Sequence, residues 1–170
     1  MITSCIAVLV GGEKQFIKEA AAAGVEGVIR ADLAPEEAGE WSASAEEKGI
    51  DMIHLLGPTS PAERVRMVAE HSRGFIYYIS LTGTTGVRSE LSEGLGDKVE
   101  SIKQATNIPV LVGFGISGPD QARSAAAVSD GVIVGSAIVK LIEQNPDPAQ
   151  RDSKLAEFVS SVKQAISGPN

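Results

Sequence analysis

Three stretches rich in glycine and hydroxyl groups are where ligand chemistry is easiest to build in this sequence. They are Ser80-Leu81-Thr82-Gly83-Thr84-Thr85-Gly86-Val87-Arg88-Ser89-Glu90, Gly113-Phe114-Gly115-Ile116-Ser117, and Gly135-Ser136 heading Ala137-Ile138-Val139-Lys140. Glycine lets a backbone N–H approach a phosphate with no Cβ in the way, and a helix N-terminus adds a favourable dipole. The first stretch has the make-up of a lid that offers backbone N–H groups to an anion. Each stretch alone is a weak signal, because glycine also simply tightens turns. Three in succession point to a phosphate site of the kind that the last two βα loops and a short extra helix build in eight-fold α/β barrels.

The remaining reactive side chains are few. Asp32, Glu36 and Glu37 form an acidic cluster at a strand end. Glu36 and Glu37 fall in a helix's first turn, where acids are favoured by the dipole alone, which leaves Asp32 to face a site. His54 and His71 are the only histidines, and His54, among Ile53, Leu55 and Leu56, reads as a structural residue. Cys5 is the single cysteine, so there is no disulfide framework and no cysteine or histidine-rich metal site, and a reducing compartment follows. Trp41 reads as packing, Glu46-Glu47-Lys48 as a solvated helix face, and Lys140 either approaches a phosphate or is a surface lysine.

The elements that must position these groups alternate along the chain. Apolar runs starting near residues 25, 51, 75, 108 and 131 have the length and β-branched or aromatic bias of buried parallel strands. Helix-like segments lie between them. Lys14 to Ala23 is Ala-rich, and Pro35-Glu36-Glu37, Pro61-Ala62-Glu63 (after Ser60) and Pro119-Asp120-Gln121 each place proline and acid at a helix opening. Gly24, Gly49 and Gly74 precede strands, where a helix C-cap belongs. Right-handed crossovers then require a parallel sheet with helices outside it. The chain reads as one domain over residues 1–170, with a remnant strand in 1–10, a closing helix over 152–167, and Asn145-Pro146-Asp147-Pro148 as a hinge between two helices.

Composition closes off other classes. With 170 residues the chain is too short for a whole eight-fold barrel, which needs about 250 and rarely fewer than about 200. A net charge of −7 and a pI near 4.9 make it a poor binder of nucleic acid or anionic membrane. No apolar run approaches the roughly 20 residues of a membrane span, and no signal peptide is evident, so a cytoplasmic location is expected, or a plastid if a targeting segment has been lost.

Taken together, Phe75-Ile76-Tyr77-Tyr78-Ile79-Ser80, the Thr-Gly-Thr-Thr-Gly loop at 82–86, Val112-Gly113-Phe114-Gly115-Ile116-Ser117 and Asp130-Gly131-Val132-Ile133-Val134-Gly135-Ser136-Ala137 with Lys140 resemble the C-terminal part of the tryptophan synthase alpha subunit. Ile29-Arg30-Ala31-Asp32-Leu33-Ala34-Pro35-Glu36-Glu37 resembles a strand-end loop of that family. The resemblance runs over residues 14–166. It implies a partial TIM barrel holding about strands four or five to eight. The implied family reaction is the retro-aldol cleavage of indole-3-glycerol phosphate to indole and glyceraldehyde 3-phosphate, in tryptophan biosynthesis, by a carbon–carbon lyase that carries no cofactor itself. Pyridoxal phosphate belongs to the partner beta subunit.

Carried onto this sequence, the resemblance assigns Gly86, Gly115, Gly135 and Ser136 to the phosphate pocket and Phe114 to the indole. Tyr77 would neighbour a catalytic glutamate, Thr85 would help position a catalytic aspartate, and Asp32 would lie on the alpha–beta surface. Core packing is the alternative for Tyr77 and Phe114. No residue here matches the family's catalytic glutamate or aspartate, and Ser4-Cys5-Ile6-Ala7 replaces its Tyr-Tyr-Asn-Pro turn. The chain alone is therefore expected to be inactive. The alternative is a noncatalytic module that binds indole-3-glycerol phosphate, another sugar phosphate, or a partner. Open strand edges further predict self-association, as a two-fold pair of half-barrels, or capture of a partner.

Overall fold

The computed structural model describes residues 1–3, 8, 12–80, 94–113 and 115–167. Within them strands and helices alternate as β1 (Ile2–Thr3), α1 (Glu13–Ala22), β2 (Gly27–Arg30), a 3-10 turn (Pro35–Glu37), α2 (Gly39–Glu47), β3 (Asp51–Ile53) and β4 (Leu55–Leu56). There follow α3 (Ala62–His71), β5 (Ile76–Ile79), α4 (Leu95–Ala105), β6 (Val110–Gly113), α5 (Pro119–Ala126), β7 (Gly131–Ile133), α6 (Ser136–Gln144) and α7 (Pro148–Ile166). Every pairing is parallel and sequential, in two sets ordered β1-β2-β3 and β4-β5-β6-β7.

Only His54 separates β3 from β4, and its carbonyl accepts the Tyr77 N–H at 3.0 Å, so the two are halves of one strand position. The first half pairs with β2 (Ile29 beside Ile53) and the second with β5 (Leu55 beside Tyr77). That shift along the strand is the stagger a sheet needs when it curls toward a barrel. Six strand positions therefore form an open arc of a parallel (β/α) barrel. Among the described residues nothing pairs with the outer edge of β1 or of β7.

Alternation of side chains divides the sheet into two faces. Ile29, Ile53 and Tyr77, with Leu55, Phe75, Ile79 and Ile133 against them, form the concave interior cluster. Their neighbours point outward under the helices. Val28 and Met52 pack with Ile17, Trp41 and Ala45, while Ile76, Tyr78, Val110 and Val112 pack with Val68, Val99, Ile102 and Ala122. The outer layer is thus the main core, as both faces of a parallel sheet demand cover.

Several local details depart from the sequence reading. Pro35 opens a 3-10 turn rather than the α-helix: the Ala38 N–H bonds to the Pro35 carbonyl at 3.2 Å, and Gly39, a poor helix former, restarts the chain as α2. Ser60 does not cap α3, because its Oγ accepts the Gly57 N–H at 3.0 Å and closes a turn instead. Gly24 and Gly49 take φ of 79° and 71° just past their helices, as expected of C-terminal glycines. Gly74, at φ 70°, lies beyond the Ser72 cap, and a Cβ there would meet Asp51 Oδ2 at 2.8 Å. Asn145 is buried and pinned, donating to the Leu141 carbonyl at 2.7 Å and accepting from Lys154 Nζ at 2.6 Å, so the α6–α7 junction is held on both sides.

Candidate phosphate site at the strand ends

Ile79, Gly113 and Ile133 are register partners across β5, β6 and β7, so the three loops singled out from the sequence leave the sheet at one level. Ser80 fixes that level. It is fully buried, and both its N–H (3.1 Å) and its Oγ (3.0 Å) donate to the Gly113 carbonyl. Two residues past Gly113 stands Gly115, exposed at φ 78°, a left-handed conformation that glycine adopts without cost. Two residues past Ile133, Gly135 opens α6.

The Gly135 carbonyl receives the Ile138 and Val139 N–H groups at 2.9 and 3.2 Å, which leaves the N–H groups at the very start of α6 with no helical acceptor. No side chain caps that end, and a Cβ on Gly135 would meet nothing within 4 Å. Gly115, Gly135 and Ser136 are thus exposed, adjacent in the strand order and backed by a helix N-terminus, an arrangement suited to an oxyanion. Lys140 is exposed one turn into the same helix. Thr85, Gly86 and Phe114 lie outside the described residues.

Beneath this mouth, Tyr77 projects from β5 into the concave interior, 7% exposed, and burial raises its phenol pKa. Its ring lies directly over Gly113: a Cβ on that glycine would collide with the ring and hydroxyl. The sequence reading placed Gly113 in the loop, whereas it is the last residue of β6. A glycine inside a strand, which often marks a close approach, was the available signal. The sequence makes Ser80 the first residue of a candidate lid, and its part as a buried tie to the Gly113 carbonyl depends on the β5–β6 register, which the sequence does not display.

The acidic groups stand elsewhere. Asp32 follows β2 on the rim, half-exposed, with Arg30 Nε 3.7 Å from its carboxylate. The Arg30 guanidinium is buried, ion-paired to Glu13 at 2.8 Å and 4.9 Å from the Trp41 ring centroid, so it stitches β2 to α1 and α2. Trp41 is buried as expected, its indole N–H on Met52 Sδ at 2.8 Å. Glu36 binds Arg64 of α3 at 2.6 Å. Backbone hydrogen bonding and that guanidinium hold its carboxyl below the usual range, so it serves as an ion-pair partner rather than a proton donor.

His54 is buried on the outer face with its Nε2 unpartnered among the described residues. Burial first, then the nearby His71 and Arg64, push its pKa down to about 4, and it remains neutral. Toward the carboxyl ends of the strands, the inward positions Ile29, Ile53, Leu55, Tyr77, Ile79 and Ile133 are not carboxylates; Asp51, which shares the face of Ile53, stands at the opposite end, at the start of β3. Among the described residues no group of three His, Cys, Asp or Glu could hold a metal ion, and no helix is long and apolar enough to cross a membrane.

The family model for the tryptophan synthase alpha chain matches residues 1–167. Tryptophan synthase alpha chains from Geobacter sulfurreducens and Geotalea daltonii are 50% and 49% identical over 159 and 155 residues, or 94% and 91% of this chain, and 60% and 58% of their own lengths. The fold is similar to a Mycobacterium tuberculosis tryptophan synthase structure (TM-score 0.87, 36% identity, 99% of this chain and 62% of that one). It is also similar to a chain from a study of mutual activation in the Pyrococcus furiosus tryptophan synthase a2b2 complex (TM-score 0.85, 32% identity, 95% and 65%). The chain spans about 60% of the length of the curated relatives it matches.

Proposed function

Because this chain belongs to the tryptophan synthase alpha chain family, we propose that it supplies the phosphate-holding side of an indole-3-glycerol-phosphate lyase of tryptophan biosynthesis. The observation that carries this reading is that the segments with Gly115, Gly135 and Ser136 leave the sheet from the register partners Gly113 and Ile133, with the buried Tyr77 ring over Gly113, within a sequence match that runs from residue 1 to 167. Gly115 and the start of α6 would hold the phosphate, with Gly86 of the neighbouring loop. Tyr77 and Phe114 would wall the indole side, Thr85 would steer a catalytic acid, and Asp32 on the rim would meet a beta subunit.

Retro-aldol cleavage needs a general acid and a general base, each worth about 10²–10⁴ in rate. Among the described residues, the inward strand positions at the level of the proposed site offer neither, and Asp51 lies at the far end of β3. That absence favours a second reading, in which these 170 residues act as a binding module for a sugar phosphate or a partner subunit. A lyase assay with indole-3-glycerol phosphate, on the chain alone and with a tryptophan synthase beta subunit, separates the two. The chain alone should release negligible indole. Turnover near that of a full-length relative, abolished by Asp32→Asn, would show that Asp32 replaces the missing acid.

A further inference from the structure

Ser80 makes a contact that the sheet itself does not require. Its N–H meets the Gly113 carbonyl at 3.1 Å and closes the β5–β6 ladder, as the backbone of any residue there would. Its Oγ donates to the same oxygen at 3.0 Å, so two donors on one residue occupy both lone pairs of a single carbonyl. Ser80 is fully buried and Gly113 is buried with it, and away from water such bonds are electrostatically stronger. Gly113 is a residue that gains from being held. Glycine has the largest backbone freedom to lose, and a side chain that would restrain it is excluded here, because a Cβ would collide with the Tyr77 ring. β5 therefore supplies both restraints from outside, the Tyr77 ring over the residue and the Ser80 hydroxyl on its carbonyl.

That restraint lies two residues from the candidate anion site. Gly115 follows at φ 78° and is exposed, and Ile116 beyond it is buried in the outer core. Gly115 thus stands between two anchors, the Ile116 side chain and the Gly113 carbonyl. We propose that Ser80 is a positioning residue for this site: through the Gly113 carbonyl, its hydroxyl holds Gly115 in the left-handed conformation in which it meets a phosphate oxyanion. The inference rests on the phosphate reading of Gly115 and Ser136, and adds to it a residue too deeply buried to touch the ligand. What Ser80 supplies is preorganisation. A backbone that is already set loses less freedom on binding, and the difference appears as affinity. Alanine at this position would keep the ladder bond but release one lone pair of the carbonyl and loosen its direction.

The test compares the chain with Ser80→Ala, Ser80→Thr and Ser72→Ala by NMR, first without ligand and then in a titration with inorganic phosphate. Ser72 is fully buried too, and its Oγ has no partner among the described residues, so its variant reports the loss of a buried serine hydroxyl away from the site. Without ligand, Ser80→Ala should move the Gly115 N–H to Hα couplings away from those of a φ near 78° and lower the Gly115 amide order parameter. With phosphate, its dissociation constant, read at Gly115 and Ser136, should rise by about threefold to tenfold, the equivalent of one neutral hydrogen bond. Ser72→Ala should leave both readouts at the parent's values, and Ser80→Thr, which keeps the hydroxyl, should show the parent's couplings. Gly115 couplings unchanged in Ser80→Ala, or a loss of phosphate affinity that Ser72→Ala matches, would overturn the proposal. Parent amides that do not respond to phosphate would count against the functional reading instead, and the ligand-free couplings would then decide the role of Ser80 by themselves.

Discussion

At the scale of single residues, the closest steric coupling in the proposed site is between Gly113 and Tyr77. Gly113→Ala should force the ring out of the concave interior, with a stability loss of about 1–3 kcal/mol, typical of an overpacked core. Chemical denaturation of the two proteins checks it, and an unchanged midpoint would mean that the ring moves freely. His54 makes a second prediction. Its folded pKa lies near 4, below the ordinary 6.5, so the unfolded chain binds a proton that the native state refuses. Stability should therefore fall as pH drops from about 6.5 toward 4, by up to about 3 kcal/mol. Melting curves across that range should show a shallower pH slope in His54→Gln than in the parent. The strand-end position of Gly115, Gly135 and Ser136 was legible in the sequence, because each follows a short apolar run. The Tyr77–Gly113 contact was not, because it depends on the β5–β6 register, which no single segment encodes.

At the scale of elements, the alternation of strands and helices was legible almost throughout, since buried parallel strands are short apolar runs and the intervening segments open with proline and acid. What escaped was fixed by contacts between segments. Ser60 turned to Gly57 instead of capping α3, and Pro35 made a 3-10 turn because Gly39 interrupts the helix. Gly74 shows how such contacts act. At the entry to β5 its positive φ strains any side chain, and a Cβ there, 2.8 Å from the Asp51 carboxylate, would require that side chain to shift. Gly74→Ala should cost about 1–2 kcal/mol. By contrast, Gly24→Ala, where a Cβ meets nothing within 4 Å, should cost less, through backbone strain alone. Paired urea titrations of the two variants would reveal the difference, and equal losses would show that the Asp51 contact relaxes. Across the β6–β7 turn region, Asp130 plays a related part. Burial disfavours its charge, yet Lys103 Nζ at 2.7 Å and the Val110 N–H at 2.9 Å together hold its carboxyl below the usual range.

At the scale of the whole molecule, six parallel strand positions bring the carboxyl ends of β5, β6 and β7 to one level, above a concave cluster of Ile29, Ile53, Leu55, Phe75, Tyr77, Ile79 and Ile133. The proposed function therefore separates two things that a complete lyase site combines: a place for the phosphate, which we propose Gly115, Gly135 and Ser136 supply, and an acid and base, which the described residues at that level do not include. The length had already signalled an incomplete barrel. A helix terminus contributes about 0.3–1 kcal/mol to anion binding, or about 2 when partly buried, so affinity should be weak but localised. The most direct measurement is an NMR titration of the chain with indole-3-glycerol phosphate, following every backbone amide. The account predicts saturable shifts concentrated at Gly115 and Ser136, reproduced at higher concentration by inorganic phosphate and lost in Ser136→Pro. Shifts at those two amides no larger than at distant ones such as Gly24 and Gly49 would contradict it.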